Sequence, residues 1–273
     1  MSDTEKPDSS PDSTADAPAA APAWCWHDLA TTDVDAAVAF YKELLGWQIN
    51  PVPMGDFTYN MIHVAGQGIG GFVPLDASLG APCHWTGYVA TDDVDATAAR
   101  AASHGGSVHV EPQDMPNIGR FAVVADPVGA SFSLFKSAHT EPKPVLPSGT
   151  PGVFCWNELM TTDVAGAKAF YGEVLGWGAR DVDMGDMGTY SMFFAGDAAA
   201  PQDCAGMMQS PPDAPHPPFW VHYVAVSDLA ATFDRVAALG GQPFVPPTDI
   251  PGIGRFAIAA DPTGATFALY QGA

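Results

Sequence analysis

The sequence repeats itself. Residues 26–47, WHDLATTDVDAAVAFYKELLGW, return at 156–177 as WNELMTTDVAGAKAFYGEVLGW with 14 of 22 positions identical. Near the other end of each copy, PNIGRFAVVADPVGASFSLF at 116–135 returns at 251–270 as PGIGRFAIAADPTGATFALY with 13 of 20 identical. A period of 130 to 135 residues is far longer than a solenoid unit, so the chain reads as a duplicated domain. Its 273 residues are ample for two domains with real cores. The expected boundaries are a disordered tail at 1–23, one domain at 24–138, a linker at 139–152 built around EPKPVLPSGTP, and a second domain at 153–273.

Each copy alternates between two hydrophobic periods. Trp24 to Ala30 reads as a strand, after which Asp33 supplies a helix N-cap. Ala37, Phe40, Tyr41 and Leu44 form an i, i+3, i+4, i+7 stripe that Gly46 closes. Short strands are expected near 47–49, 59–64 and 70–74, between Pro and Gly punctuation. A second round follows, with a strand at 85–90, a helix at 94–103 and strands at 107–110, 120–125 and 131–135. Asp126-Pro127 and Gly129 make the last hairpin turn. The pattern is βαβββ twice per copy, an α+β fold. GQGIGG at 66–71 lacks the GK[ST] and the helix of a phosphate loop and reads as a turn between strands.

The run TTDVxxAxxFYxxxLGW after a first strand, with DPxGAxFxLF in the last hairpin, resembles the vicinal oxygen chelate superfamily of glyoxalases, bleomycin-resistance proteins and extradiol dioxygenases. The two-domain layout, with WxEL and IGRFAxxxDPxGA, is similar to a bacterial subgroup labelled glyoxalase-like or hydroxylase-like. The resemblance spans about 24–138 and 153–271, and implies tandem βαβββ modules whose curved mixed sheets form cups. It also implies a divalent metal held by His, Gln or Glu from the first and last strands of each module, with substrate oxygens chelated to it. The family's first ligand position, seven residues before the helix-opening Asp, holds Trp26 and Trp156, and the same count from Asp93 and Asp228 gives Thr86 and Val221. The last-strand glutamate becomes Ser133 and Ala268, and the region near Gly71 and Gly206 offers no carboxylate or imidazole. No cofactor is therefore expected. A divalent ion on some set drawn from His27, Asp28, His63, His84 and Glu158 is the less favoured alternative, because neighbouring strand residues face opposite ways.

Strand alternation puts residues 24, 26 and 28 on one face, as it does 154, 156 and 158. If the family's ligand position faces into the cup, Asp28 lies beside Trp26 in one cavity and Glu158 beside Trp156 in the other, with Tyr88 and Tyr223 following inward. A carboxyl and a phenol in an apolar pocket suit general acid/base work, since burial raises a carboxyl pKa; they also suit recognition by aromatic walls. The four expected catalytic groups are thus Asp28, Glu158, Tyr88 and Tyr223. Expected ligand contacts are Trp26, Trp156, Arg120, Arg255, Met54 and Met184. The two arginines have alternative partners in Asp28 and Glu158 or in the Asp126 and Asp261 turns. The same parity turns Cys25 and Cys155 away from the cup, against the helix, as inert thiols.

With 31 acidic and 10 basic residues the net charge is −21, and −17 without the tail, which opposes nucleic acid and anionic membranes as partners. No apolar run approaches the roughly 18 residues of a membrane span, and the start of the chain carries no apolar signal core. The four cysteines show no CxxC spacing and read as reduced. The expectation is a cytoplasmic protein, monomeric or weakly dimeric, with a small-molecule ligand. Three functions fit: a metal-independent isomerase, lyase or hydroxylase-type enzyme on a small oxygenated or aromatic metabolite; a protein that sequesters such a compound, antibiotic-like; or a metal-dependent glyoxalase or dioxygenase.

Overall fold

The computed structural model describes residues 23–139, 141, 144–185, 188–196, 200–211 and 216–273. All of the expected tail except Ala23, and parts of the expected linker, lie outside the described residues.

The first half runs β1 (Trp24–Thr31), α1 (Val34–Leu45), β2 (Gln48–Met54), β3 (Phe57–Val64) and β4 (Gln67–Pro74), then a 3-10 turn at Ala77–Leu79. The second round is β5 (His84–Ala90), α2 (Val94–Ser103), β6 (Ser107–Met115), β7 (Gly119–Ala125) and β8 (Ser131–Ser137). The other half repeats it as β9 (Phe154–Thr161), α3 (Val164–Leu175), β10 (Gly178–Asp183), β11 (Thr189–Ala195) and β12 (Gln202–Gln209). It closes with β13 (Phe219–Ala225), α4 (Leu229–Ala238), β14 (Gln242–Ile250), β15 (Gly254–Ala260) and β16 (Thr266–Gly272). This is the α+β arrangement of paired βαβββ modules. Only Gly66 of the glycine run lies in a turn. Gln67–Gly71 belong to β4, so the reading of that run as a turn is corrected.

Each half forms one open eight-stranded sheet, ordered β2-β3-β4-β1-β5-β8-β7-β6 and β10-β11-β12-β9-β13-β16-β15-β14. The two modules meet where β1 pairs antiparallel with β5, and β9 with β13. First and last strands of both modules therefore occupy the middle of each sheet. Helix starts and stops follow the expected chemistry: the Asp33 carboxylate accepts from Ala36 N–H at 3.0 Å, and Gly46 takes the left-handed conformation at φ 70°.

The helix faces of the two sheets meet each other, and both cores are shared between the halves. One core joins Leu29, Phe40, Tyr41 and Trp47 to Val224, Leu229, Val236 and Phe267; the other joins Val89, Phe132 and Leu134 to Leu159, Phe170, Tyr171 and Trp177. Polar locks reinforce this exchange. Trp220 Nε1 donates to the Tyr171 hydroxyl at 3.0 Å, and that hydroxyl donates at 3.2 Å to Asp126 in the opposite half. Trp85 Nε1 likewise donates to the Tyr41 hydroxyl at 2.9 Å, and the charge of Asp261 in the opposite half acts on that hydroxyl. The aspartates of the DPxG turns also accept the N–H groups of Ala130 and Ala265. That explains why these turns recur so faithfully: each is both a hairpin and a contact between halves.

Candidate functional site

The opposite face of each sheet carries a buried carboxyl. In β1, Asp28 is 7% exposed, flanked by His27 and Leu29, which turn to the inter-half side. In β9, Glu158 is equally buried. A carboxyl in such a place needs donors, and both have the same kind. The Tyr59 hydroxyl donates to Asp28 Oδ1 at 2.6 Å, and Trp26 Nε1 donates to the same oxygen at 3.0 Å and to the Tyr59 oxygen at 2.8 Å. In the second half Tyr190 donates to Glu158 Oε2 at 2.9 Å and Tyr223 to Oε1 at 3.0 Å, while Trp156 Nε1 donates to Tyr190 at 2.9 Å. Tyr88, paired with Trp26 across β1 and β5, is the counterpart of Tyr223 and also acts on Asp28.

Tyr59 and Tyr190 come from β3 and β11, two strands away from the carboxyls they reach. At a spacing of about 4.8 Å per strand the rings must lean across the strand between. The residues they cross are Gly71 and Gly206, where a Cβ would collide with the tyrosine ring. Glycine at each of these positions thus serves as a cradle for a phenol.

Burial raises the Asp28 pKa above the ordinary carboxyl range, and the bonds from Tyr59, Tyr88, Trp26 and the Gly71 N–H oppose it. Glu158 is raised for the same reason, opposed by Tyr190 and Tyr223. All four phenols are pushed up, first by burial and then by the neighbouring carboxylate, so they remain proton donors. The result in each cup is a carboxyl that holds its proton more tightly than an exposed one, inside a ring of O–H and N–H groups.

Six of the expected site residues therefore converge, three in each half: Trp26, Asp28 and Tyr88, and Trp156, Glu158 and Tyr223. Tyr59 and Tyr190 were not among them. Their signal was a third recurrence, Thr-Tyr-x-Met at 58–61 and 189–192. The arginines stand elsewhere. Arg120 holds Asp95 on α2 at 2.6 and 2.8 Å and Asp114 at 2.8 Å, and Arg255 holds Asp249 at 2.6 Å. Neither pairs with a cup carboxyl or with the DPxG turns. Beside Arg120, residues 114–117, 119 and 136–138 line a shallow depression of about 330 Å³, away from both carboxyls. Met54 ends β2, three strands from β1, and Met184 follows β10, three strands from β9.

The parity argument fails at one point, because β1 and β9 each contain a bulge. The register with β5 shifts between Trp24 and Trp26, and with β13 between Trp156 and Phe154. One extra residue rotates the strand end. Trp24 consequently faces the other half, with its ring 4.9 Å from Trp220 and 5.8 Å from His222. Cys155, expected against the helix, instead packs with Trp156, Val221 and Tyr223 on the cup face, where burial pushes its thiol up to about 12. Cys25 is exposed and its thiol approaches Tyr88 O at 3.4 Å.

The donors do not suit the metal that the fold family implies. Each cup has one carboxyl, occupied by internal donors, and the remaining ligand positions hold indole, glycine, hydroxyl or aliphatic groups. No three His, Cys, Asp or Glu side chains among the described residues converge as a metal site. His27 belongs to a different cluster: its Nε2 lies 2.9 Å from Asn157 Oδ1, which His222 Nδ1 also meets at 2.7 Å, between the halves.

Comparison with known proteins agrees with the fold. The Mycobacterium tuberculosis protein CFP32, proposed to be a glyoxylase, is 38% identical over 251 residues, covering 90% of this chain and 93% of its own. The anthracycline biosynthesis protein DnrV of Streptomyces peucetius is 34% identical over 260 residues, covering 90% and 92%. Among solved structures, the Mn(II)-bound glyoxalase of Novosphingobium aromaticivorans superposes with a TM-score of 0.60 at 19% identity, over 92% of this chain and 82% of that one. The profile of one family matches twice, at residues 25–134 and 154–269. This chain belongs to the Glyoxalase/Bleomycin resistance protein/Dioxygenase superfamily.

Proposed function

We propose that each cup binds a small oxygenated aromatic metabolite and moves a proton on it, as an isomerase or lyase that works in the cytoplasm without a metal. One observation carries this reading: the same carboxyl, two-phenol and indole set is built twice, at Asp28 and at Glu158. A carboxylate of raised pKa is a competent base toward a carbon beside a carbonyl. A phenol next to it donates its O–H to the carbonyl oxygen as charge develops there, which stabilises the enolate. Return of the proton to another carbon completes an isomerisation, and expulsion of a group on the next carbon completes an elimination. Neither needs an added oxidant. The relationship to DnrV, an anthracycline biosynthesis protein, supports an aromatic, carbonyl-bearing ligand.

A second reading has its own support. Both oxygens of Glu158 already accept a phenol, an arrangement that suits a rigid recognition surface and sequestration of the ligand without turnover. Tryptophan fluorescence titration with aromatic, quinone and keto acid compounds, followed by product analysis, distinguishes the two. Asp28→Asn and Glu158→Gln are expected to abolish turnover and spare much of the binding if proton transfer is the role. Binding without turnover in the unsubstituted chain would establish sequestration. Unchanged binding and turnover in both folded variants would refute the site.

A further inference from the structure

We infer that the two cups differ in specificity, the first selecting an aromatic ligand that carries a hydroxyl beside Thr86 and Ser133 and the second indifferent to that hydroxyl; this rests on the reading of the cups as ligand sites. The duplicated set is equal in its carboxyl and phenols but unequal around them. Beside Asp28 on β5 stands Thr86, half-buried, where the second cup has Val221, 1% exposed, beside Glu158. Beside Tyr88 on β8 stands Ser133, where the second cup has Ala268 beside Tyr223. Both exchanges replace a hydroxyl by an aliphatic group, and both occur on central strands.

Ser133 is fully buried and its Oγ has no well-formed hydrogen-bond partner within the protein. Its neighbours Phe132 and Leu134 turn into the core, so alternation puts the hydroxyl on the cup face beside Tyr88. A buried hydroxyl whose one neighbour, the Tyr88 hydroxyl, is poorly aligned with it favours a ligand that completes its hydrogen bonding. The second cup has no such need. Val221, Tyr223 and Ala268 form one apolar cluster there, with Trp156, Phe219, Phe256 and Ile258 packed on it. Its phenol is also more enclosed: Tyr223 is 5% exposed, whereas Tyr88 is half-buried. A site that hydrogen-bonds a ligand hydroxyl rejects the analogue without it, whereas an apolar site hardly distinguishes them.

Calorimetric titration of the full chain with 1-naphthol and with 1-methylnaphthalene, which differ by hydroxyl against methyl, tests the division. The Thr86→Val/Ser133→Ala variant is expected to lose about tenfold in affinity for 1-naphthol, the worth of one or two hydrogen bonds, and little for 1-methylnaphthalene. The reverse variant, Val221→Thr/Ala268→Ser, is expected to make the second cup discriminate as well, tightening 1-naphthol about tenfold there and leaving 1-methylnaphthalene little changed. These exchanges are close in volume, and circular dichroism verifies the fold of each variant. If both probes bind and neither variant changes their ratio, the division of labour is overturned while the cups stand as ligand sites. If neither probe binds saturably to the unsubstituted chain, the reading of the cups as aromatic sites falls, and the division with it.

Discussion

At the scale of single residues, the account turns on what surrounds Asp28. Tyr59 donates the shortest bond it receives, 2.6 Å, and opposes the rise in its pKa. Tyr59→Phe should therefore move the Asp28 pKa further up, measurable by carbon-detected NMR titration of the carboxyl. A carboxyl whose folded pKa is raised stabilises the fold fully only below the ordinary range near 4, and that contribution is lost as pH rises through the folded value. The phenylalanine variant should accordingly lose more stability between acid and neutral pH than the parent. Gly71→Ala should be worse for binding than Tyr59→Phe, because its methyl displaces the ring rather than only its hydroxyl. Most of this site was legible in sequence, since a carboxyl two residues after a tryptophan recurs in both copies. The tyrosines of β3 and β11 were not, because strand alternation assigns a face but says nothing of a ring leaning over a glycine two strands away.

At the scale of elements, caps and periodicity located the helices closely: Val94–Ser103 matches its expected limits, and Asp33 and Gly46 bound α1 as expected. The bulges in β1 and β9 were hidden, because an extra residue leaves no mark on composition and only tertiary register exposes it. It sends Trp24 to the inter-half face and Cys155 to the cup. The DPxG turns were legible as turns but not as contacts, since their partner is a tyrosine in the other half. Tyr171→Phe leaves the Trp220 N–H unpaired and removes one donor to Asp126. A loss of about 1–3 kcal/mol in urea unfolding is expected, and Tyr41→Phe should behave alike. A variant as stable as the parent would mean that these hydroxyls contribute nothing to joining the halves.

At the scale of the whole molecule, duplication was plain in the sequence while the manner of assembly was not. Hydrophobic patterning identifies a buried face without saying whose face covers it, and here each core takes residues from both halves. A protease cut in the segment 144–151 should leave the two fragments associated through size-exclusion chromatography; separation into two independently folded pieces would contradict the shared cores. The cluster of His27, Asn157 and His222 between the halves gives a pH dependence. Burial lowers the His27 pKa to about 4, against a bond to Asn157 that raises it, and lowers His222 well below its ordinary value, aided by His27 and His84. Unfolded histidine takes up its proton near 6.5, so stability should fall as pH drops from there toward 4, by about 3 kcal/mol from His27 alone. Thermal unfolding of a His27→Gln variant should show a flatter profile across that window. The central claim, that the buried carboxyls of the cups meet the ligand, is tested most directly by infrared difference spectroscopy on adding a compound that quenches the tryptophans. The unsubstituted chain should give carboxyl bands that shift on binding and that vanish in the Asp28→Asn/Glu158→Gln variant; identical difference spectra from the two proteins would contradict it.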